Sequence, residues 1–459
     1  MVELLTASLL SADEKKIVNR LSAKIRNDYP RLKKFDNYYE ASQRVKHIGI
    51  ALPIEIAEDF EVILNVPRMA VDEPSRRQNL RFFYRVGDQT KADSALTEAW
   101  EYNNLGSKSR LLAKETRIFG RAWAMVGTNP EDRDHPLITL EDPRNVACDI
   151  DIRHSRVRAG LRVYRDQDAK KTLGTLYQPD STTHLVRTPR GWEVTDRDNH
   201  KLGVVPIVGF LNRPRAGNFD GTSEMSDVIG PTDAIARMIT NMGVSGDTHA
   251  VPSRWAAGVK KEDFVDENGK EIAAWEAYIT AIRATQNPEA RFGQFEASDL
   301  SNFHESVNNL LSWCALMLGL PTRYTNPNTV NPASEGAIYA DLERLVQNVN
   351  DMNLFDGDSW SWVMGLEERF RRGEWGPPNS IRARWHDPET TTFSQVVDGL
   401  IKLRSVDAVS IEGMWDEMGW DEARKRQERG RLDAEAARDP FMGKIAAAAG
   451  VGAVDGSTV

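Results

Sequence analysis

Cysteine is nearly absent: Cys148 and Cys314 are the only two in 459 residues. That excludes a disulfide framework and a cysteine-built zinc site, and fits buried thiols in a reducing compartment. Long apolar runs are missing as well. No stretch approaches the roughly 20 residues that span a bilayer, so no membrane partner is expected. Val2 to Leu10 is apolar but short, is interrupted by Glu3 and has no basic residue ahead of it. It does not read as a secretory signal, and the expected place of synthesis is the cytoplasm. A basic excess is lacking too, since the formal net charge is −9. Proteins that grip duplex DNA present a basic stripe that displaces counterions, so tight DNA binding is not expected, while loose contact is compatible.

The usual catalytic signatures are also missing. There is no GxxxxGK[ST] phosphate loop, no GxGxxG, no GxSxG, and no HExxH among eight scattered histidines. ATP-driven chemistry, nicotinamide chemistry and zinc hydrolysis lose their sequence support, and neither cofactor nor metal is expected. Two weak candidates remain. His386 lies in Trp-His-Asp-Pro, which suits a catalytic pair less well than the end of a strand. Asp149 and Asp151 fall on one face of a strand and would suit Mg²⁺ in a nucleic-acid enzyme. The competing reading is a solvated strand edge near Arg144, Arg153 and Arg156.

What the chain does have is length, helix and tryptophan. Its size exceeds one compact core, so two to four domains are expected. Apolar residues make up 40% and charged residues 28%, an ordinary soluble balance. Twelve tryptophans are many, and large aromatics favour interfaces as well as cores.

The elements follow from period and punctuation. Ser11 caps a helix over residues 10 to 27, with Asp13 and Glu14 in its first turn. Tyr38 and Tyr39 precede a short helical stretch that stops at Pro53. From Ala92 to Met125 the apolar spacing is helical, and the Asn103-Asn104 turn splits it in two. Residues 137 to 210 alternate and are rich in turns, which predicts strands. The fold class expected is therefore α+β and mostly helical, with residues 1–222 as one mixed domain.

Beyond that domain, Gly221 to Val259 predicts a sparsely charged helix that carries Gly230, Pro231, Gly243 and Gly246. Such residues are costly in a helix standing alone, so neighbours are expected to hold it. Between Asp220 and Ala250 its acids, Glu224, Asp227 and Asp233 among them, face only Arg237. A small insert follows at 251–293, with Lys260, Lys261, an Asn268-Gly269 turn, Trp275 and Tyr278. Helix returns near Ala297, repeating apolar residues at three and four, with Glu296, Asp299 and Glu305 lacking a basic counterpart. The two helices bracket the insert as a hairpin. Prolines and asparagines then crowd the stretch from Gly319 to Ala337, a loop of functional length. Asn331 caps the next helix, with Pro332 and Glu335 in its first turn, and it runs to about Phe370 with a kink near Asp356-Gly357. Ile381 to Pro388 reads as a strand, 392–437 as charged helix around Trp415 and Trp420, and the tail as disordered.

Several of these segments, in order, resemble tailed-phage portal proteins of the Gp6-like group common in phages of actinobacteria. They are Tyr38-Tyr39-Glu40 with Ile48-Gly49-Ile50-Ala51 and Pro53; Asn65, Arg68 and Val71-Asp72; and Gly203-Val204-Val205-Pro206 with Asn212-Arg213. Gly221-Thr222-Ser223-Glu224, Asp233-Ala234 and Ala250-Val251-Pro252-Ser253-Arg254 come next. Gly319-Leu320-Pro321, Asn331-Pro332-Ala333-Ser334-Glu335-Gly336-Ala337-Ile338 and Trp385-His386-Asp387-Pro388 complete the set. Gly243 and Gly246, inside the first stem helix, and Ser75-Arg76-Arg77 depart from the pattern.

The resemblance implies a portal-like architecture. Residues 1–222 would be the wing, 223–250 and 294–320 the stem helices, and 251–293 the clip. Residues 321–333 would be the tunnel loop, 334–388 a long kinked helix and return strand, 389–440 the crown and 441–459 the tail. It implies a homo-oligomeric ring, usually of twelve, at the portal vertex of the virion, made in the host cytoplasm. Double-stranded DNA would pass without being held during packaging and ejection. Terminase large subunit, a head-completion adaptor, major capsid protein and scaffolding protein would be the partners, with no catalysis by this chain. On this reading Glu224, Asp227, Asp233 and Glu305 line the stem channel. Arg323, Tyr324, Asn326 and Asn328 meet passing phosphates, unless Arg323 pairs with an acid of a neighbouring subunit. Lys260, Lys261 and Trp275 face terminase or the adaptor, unless the lysines mark a solvated turn. A different phage head component, or a nuclease using Asp149 and Asp151, are the alternatives.

Overall fold

A computed structural model describes residues 9–44, 62–87, 92–250, 254–257, 291–294, 300–321, 324, 335–389, 393–420 and 422–438. Helix α1 is Ala12–Tyr39. Ser11 and Glu14 form a reciprocal capping box, each side chain bonding the other's backbone N–H. The helix does not stop near residue 27. It runs through Pro30, which forfeits one hydrogen bond, because Leu32, Phe35, Tyr38 and Tyr39 are buried beyond it. The tyrosine pair thus ends α1, and the short helical stretch expected between it and Pro53 falls beyond residue 44, outside the described residues.

Helix α2, Val66–Arg77, starts at the Asn65 cap and leads to strand β1, Leu80–Arg85. Helices α3, Ser94–Tyr102, and α4, Leu105–Phe119, meet at the Asn103-Asn104 turn. Here the helical reading up to Met125 is corrected. Gly120 has φ +84, and the chain continues as strand β2, Arg121–Gly127. Nearly every β2 residue is buried on both faces, so its sequence has no alternation to betray a strand.

Seven strands follow: β3 (Leu137–Glu141), β4 (Val146–Asp151), β5 (Arg156–Arg165), β6 (Thr172–Tyr177), β7 (Thr182–Thr188), β8 (Gly191–Asp198) and β9 (Ile207–Leu211). They build a three-stranded sheet ordered β3-β2-β9 and a five-stranded meander β4-β5-β6-β7-β8. Every pairing is antiparallel, which suits short turns such as Arg190-Gly191, where Gly191 has φ +131. Helix α1 covers one face of the meander through Val18 and Leu21. Ile207 and Cys148 fill the space between the two sheets.

Helix α5, Ile229–Ala250, starts later than expected, because residues 224–228 form turns. Strands β10, Arg254–Ala257, and β11, Arg291–Gln294, pair antiparallel and close the base of the insert. Helix α6 is Ser301–Leu318 and packs on α5 and the turn before it through Val228, Ile235, Cys314 and Ala315.

Helix α7, Glu335–Arg372, has 38 residues and so spans about 57 Å. It continues as helix through Asp356-Gly357. Gly357 serves packing: a Cβ there would lie 3.1 Å from the Trp385 indole nitrogen. Strand β12, Ile381–Trp385, pairs with β1 and lies along α7. The largest core gathers Trp360, Val363 and Leu366 of α7 with Leu96, Leu112, Ala124 and Phe210. His386 follows β12 and donates its backbone N–H to the Asn79 carbonyl at 2.9 Å.

The chain divides after Pro388 into two compact units. The second holds α8 (Phe393–Ser405), α9 (Ile411–Glu417) and α10 (Glu422–Arg438). Trp415 is buried and stacks on Trp420 at 5.7 Å, and Arg424 lies 4.2 Å above the Trp420 ring. Arg429 clamps Glu412 with two hydrogen bonds and so ties α10 to α9. The tail expected to be disordered lies outside the described residues.

Candidate channel and assembly site

The helical layer α5–α6–α7 is rooted in the α+β body at a knot of backbone crossings. Gly221, at φ +66, passes so close to Gly120 that an added Cβ would sit 1.9 Å from the Gly120 carbonyl oxygen. Around that crossing, Asn212 donates its backbone N–H to Gly120 at 2.8 Å and its side-chain amide to Thr222 and Glu224. Its side-chain oxygen accepts from Arg117 at 3.0 Å. Arg117 and Asp356 are almost fully buried and form an ion pair between α4 and α7, with Gln78 bonding both. A buried pair of this kind offsets its desolvation only with such added hydrogen bonds. Nearby, the buried Arg121 guanidinium holds Asp28 and Asp220, and Lys24 reaches Asp220 at 3.1 Å. Burial pushes the Asp220 carboxyl up, but Arg121 and Lys24 more than offset it, and it sits below the usual carboxylate range.

The four acids expected along the stem meet different fates. Glu224 is corrected outright: it is buried, accepting from Arg213 at 2.7 Å and Asn212 at 2.8 Å, so it presents no charge to a channel. Asp227 is exposed but also bonds Arg213, at 2.6 Å. Burial disfavours the Arg213 charge, yet Glu224 and Asp227 outweigh it and hold its pKa above the usual arginine value. Asp233 takes the Tyr38 hydroxyl on both carboxylate oxygens at 2.9 Å, which ties α5 to the end of α1. Burial, then that carboxylate, pushes the Tyr38 hydroxyl well up, so it remains a donor. Glu305 is exposed on α6. Arg213 lies just upstream of the segment from Asp220 to Ala250, so a charge balance over that segment does not include it; the Asn212-Arg213 dipeptide is the sequence signal that points to it.

Tyr324 is half-buried: it packs against the α5–α6–α7 core and donates its N–H to the Pro321 carbonyl at 3.0 Å. Arg323, Asn326, Asn328, Lys260, Lys261 and Trp275 lie outside the described residues. The Asn331 cap with Pro332 does too.

Asp149 and Asp151 do not converge on a metal. Asp149 pairs with Arg20 on α1, and Asp151 bonds His154 at 2.7 Å, with a register shift between Asp149 and Ile150. Among the described residues no cluster of acids, histidines and cysteines has metal-binding geometry. Burial pushes both the Cys148 and the Cys314 thiols up, Cys314 to about 11, which leaves them poor nucleophiles. Residues the sequence did not single out, Arg117, Gln78, Asp356 and Arg121, carry the junction. Their partners are separated by up to 278 residues, a distance no local pattern spans.

A family profile described as phage portal protein, SPP1 Gp6-like, matches residues 19–440. The chain belongs to that family. It is 31% identical over 413 residues to the portal protein of Mycobacterium phage L5, covering 87% of this chain and 84% of the relative. It is likewise 32% identical over 415 residues to the portal protein of Mycobacterium phage D29, with the same coverage. Among solved structures, a chain of the virion of a native gene transfer agent particle aligns over 78% of this chain and 89% of that one. Its TM-score is 0.45 and its identity 11%.

Proposed function

We propose that copies of this chain close into a ring of twelve at one capsid vertex and form the conduit for double-stranded DNA in packaging and ejection. The observation that carries this reading is the antiparallel α5–α6 pair. It is capped by the β10–β11 ladder at one end and rooted in the Gly120–Gly221 knot at the other. On this reading α5 and α6 are the stem, the insert beyond β10–β11 is the clip, and the body before them is the wing. Residues 321–333 are the tunnel loop, α7 with β12 returns to the wing, and the second unit is the crown.

A conduit works by not holding what passes through it. Phosphates slide past neutral or acidic walls and stick to basic ones. Exposed Glu305 suits such a wall, and two arginines at the root of α5 are consumed, Arg213 by Glu224 and Asp227 and Arg121 by Asp28 and Asp220, while Arg237 on α5 itself is exposed. Terminase large subunit and, later, a head-completion adaptor would dock at the clip through Lys260, Lys261 and Trp275. Major capsid and scaffolding proteins would surround the wing in the host cytoplasm, where the head is built. The chain itself would do no chemistry, since the two aspartates considered for Mg²⁺ are engaged by Arg20 and His154. Among the described residues no helix is long and apolar enough to cross a membrane.

Electron microscopy of the purified protein tests the reading, and rings with a central hole are the expected result. A monomer that persists at high concentration, with and without scaffolding and capsid protein, would overturn it.

A further inference from the structure

The helical layer leaves apolar side chains exposed on both flanks. On α6, Trp313 is 60% exposed and Leu316 62%, with Met317 beside them. On α7, Leu354 is 63% exposed, with Phe355 next to it. Helical geometry sets these two patches apart. Leu316 lies two residues from buried Cys314, about 200° around α6, and Leu354 lies nine residues from buried Leu345, about 180° around α7. Cys314 and Leu345 belong to one core, so each helix turns a second apolar face away from the core it shares with the other. Isolated exposed leucines need no explanation, but a tryptophan grouped with two neighbours marks a contact surface.

We infer that the α6 patch of one copy seats against the α7 patch of the next, forming the apolar part of the subunit contact. This rests on the ring reading above and adds to it which faces meet. The occupant is a second copy for a geometric reason. A two-fold dimer needs one self-complementary patch, whereas two unlike patches on opposite flanks suit a head-to-tail contact, which closes into a ring when the rotation allows.

The test uses the full chain, whose own cysteines are both buried. Leu316→Cys and Leu354→Cys variants are made separately and then co-expressed, and the assemblies are treated with a short bismaleimide. A linked dimer should appear in the mixture and in neither variant alone, and the doubly substituted chain should give a ladder. In parallel, Leu316→Lys should lower the fraction of protein in rings about tenfold at equal concentration, and adding Leu354→Glu in the same chain should restore most of it. Unchanged circular dichroism of these surface variants shows that folding is intact. Wild-type rings alongside unlinked mixtures, and Leu316→Lys rings that assemble normally, would overturn this contact while leaving the ring standing. Self-linking of Leu316→Cys alone would overturn the head-to-tail arrangement. Failure of the wild type to form rings would remove the ring reading first, and this contact with it.

Discussion

At the scale of single residues, two positions are under unusual constraint. Gly221 combines a left-handed backbone with the closest chain crossing in the described residues. Gly221→Ala would force the chain away from the Gly120 carbonyl, and the clash is with backbone, which cannot swing aside. A loss of about 3–5 kcal/mol in folding stability is expected, read by urea denaturation of the purified protein. A variant as stable as wild type would show that the crossing relaxes. Glu115 is the second. Burial, then the nearby Asp142 carboxylate, pushes its pKa from 4.5 to about 7, with Asp36 adding to the rise and Arg144 and Lys114 opposing it. The folded chain therefore holds a proton that the unfolded chain has already released above 4.5. Stability is highest below that value and falls as pH climbs toward about 7. Glu115→Gln keeps the site neutral, so a decline of about 1–2 kcal/mol between pH 5 and pH 8 should be present in wild type and absent in the variant. Thermal melts at the two pH values decide it; parallel curves would sink it.

At the scale of elements, the structure is tied together by a few side chains that reach across it. Arg117 on α4 and Asp356 on α7 meet in the interior, bridged by Gln78 at the end of α2. Arg117→Leu strands a buried carboxylate and should cost about 3–5 kcal/mol, whereas adding Asp356→Leu should recover part of that loss. Urea denaturation of wild type, Arg117→Leu, Asp356→Leu and the double variant checks the cycle, and simple additivity of the two single losses would refute the coupling. Capping and turns at this scale were legible in the sequence: Ser11 with Glu14, the Asn103-Asn104 break and the alternating strands from residue 137 all stand where their chemistry put them. Two readings failed, each for a physical reason. The first helix is expected to end near residue 27, but the burial of Leu32, Phe35, Tyr38 and Tyr39 carries it on through Pro30. Strand β2 is buried on both faces and so imitated a helix.

At the scale of the whole molecule, charge is the quantity with consequences. The net charge is −9, and many arginines that would attract DNA are neutralised within the fold. Binding of short duplex DNA at physiological salt should be weaker than about 10 μM, with a shallow dependence on salt concentration. Fluorescence anisotropy measures both, and nanomolar binding with a steep salt slope would contradict a sliding conduit. The candidate wall shows where such reading of sequence ends. Counting acids between Asp220 and Ala250 made Glu224, Asp227 and Asp233 look alike. The fold separated them: one is buried under Arg213, one is exposed but paired with it, and one accepts from Tyr38.

The sequence by itself determined the family, the ordered set of elements and the helix–insert–helix plan. Those depend on local periodicity and on short motifs whose order along the chain is preserved. Only the tertiary structure decided which acids face solvent, which arginines are consumed and how the helical layer is rooted. These are set by partners tens to hundreds of residues away, and the Coulomb and desolvation energies of a charge depend on what surrounds it in space rather than in sequence.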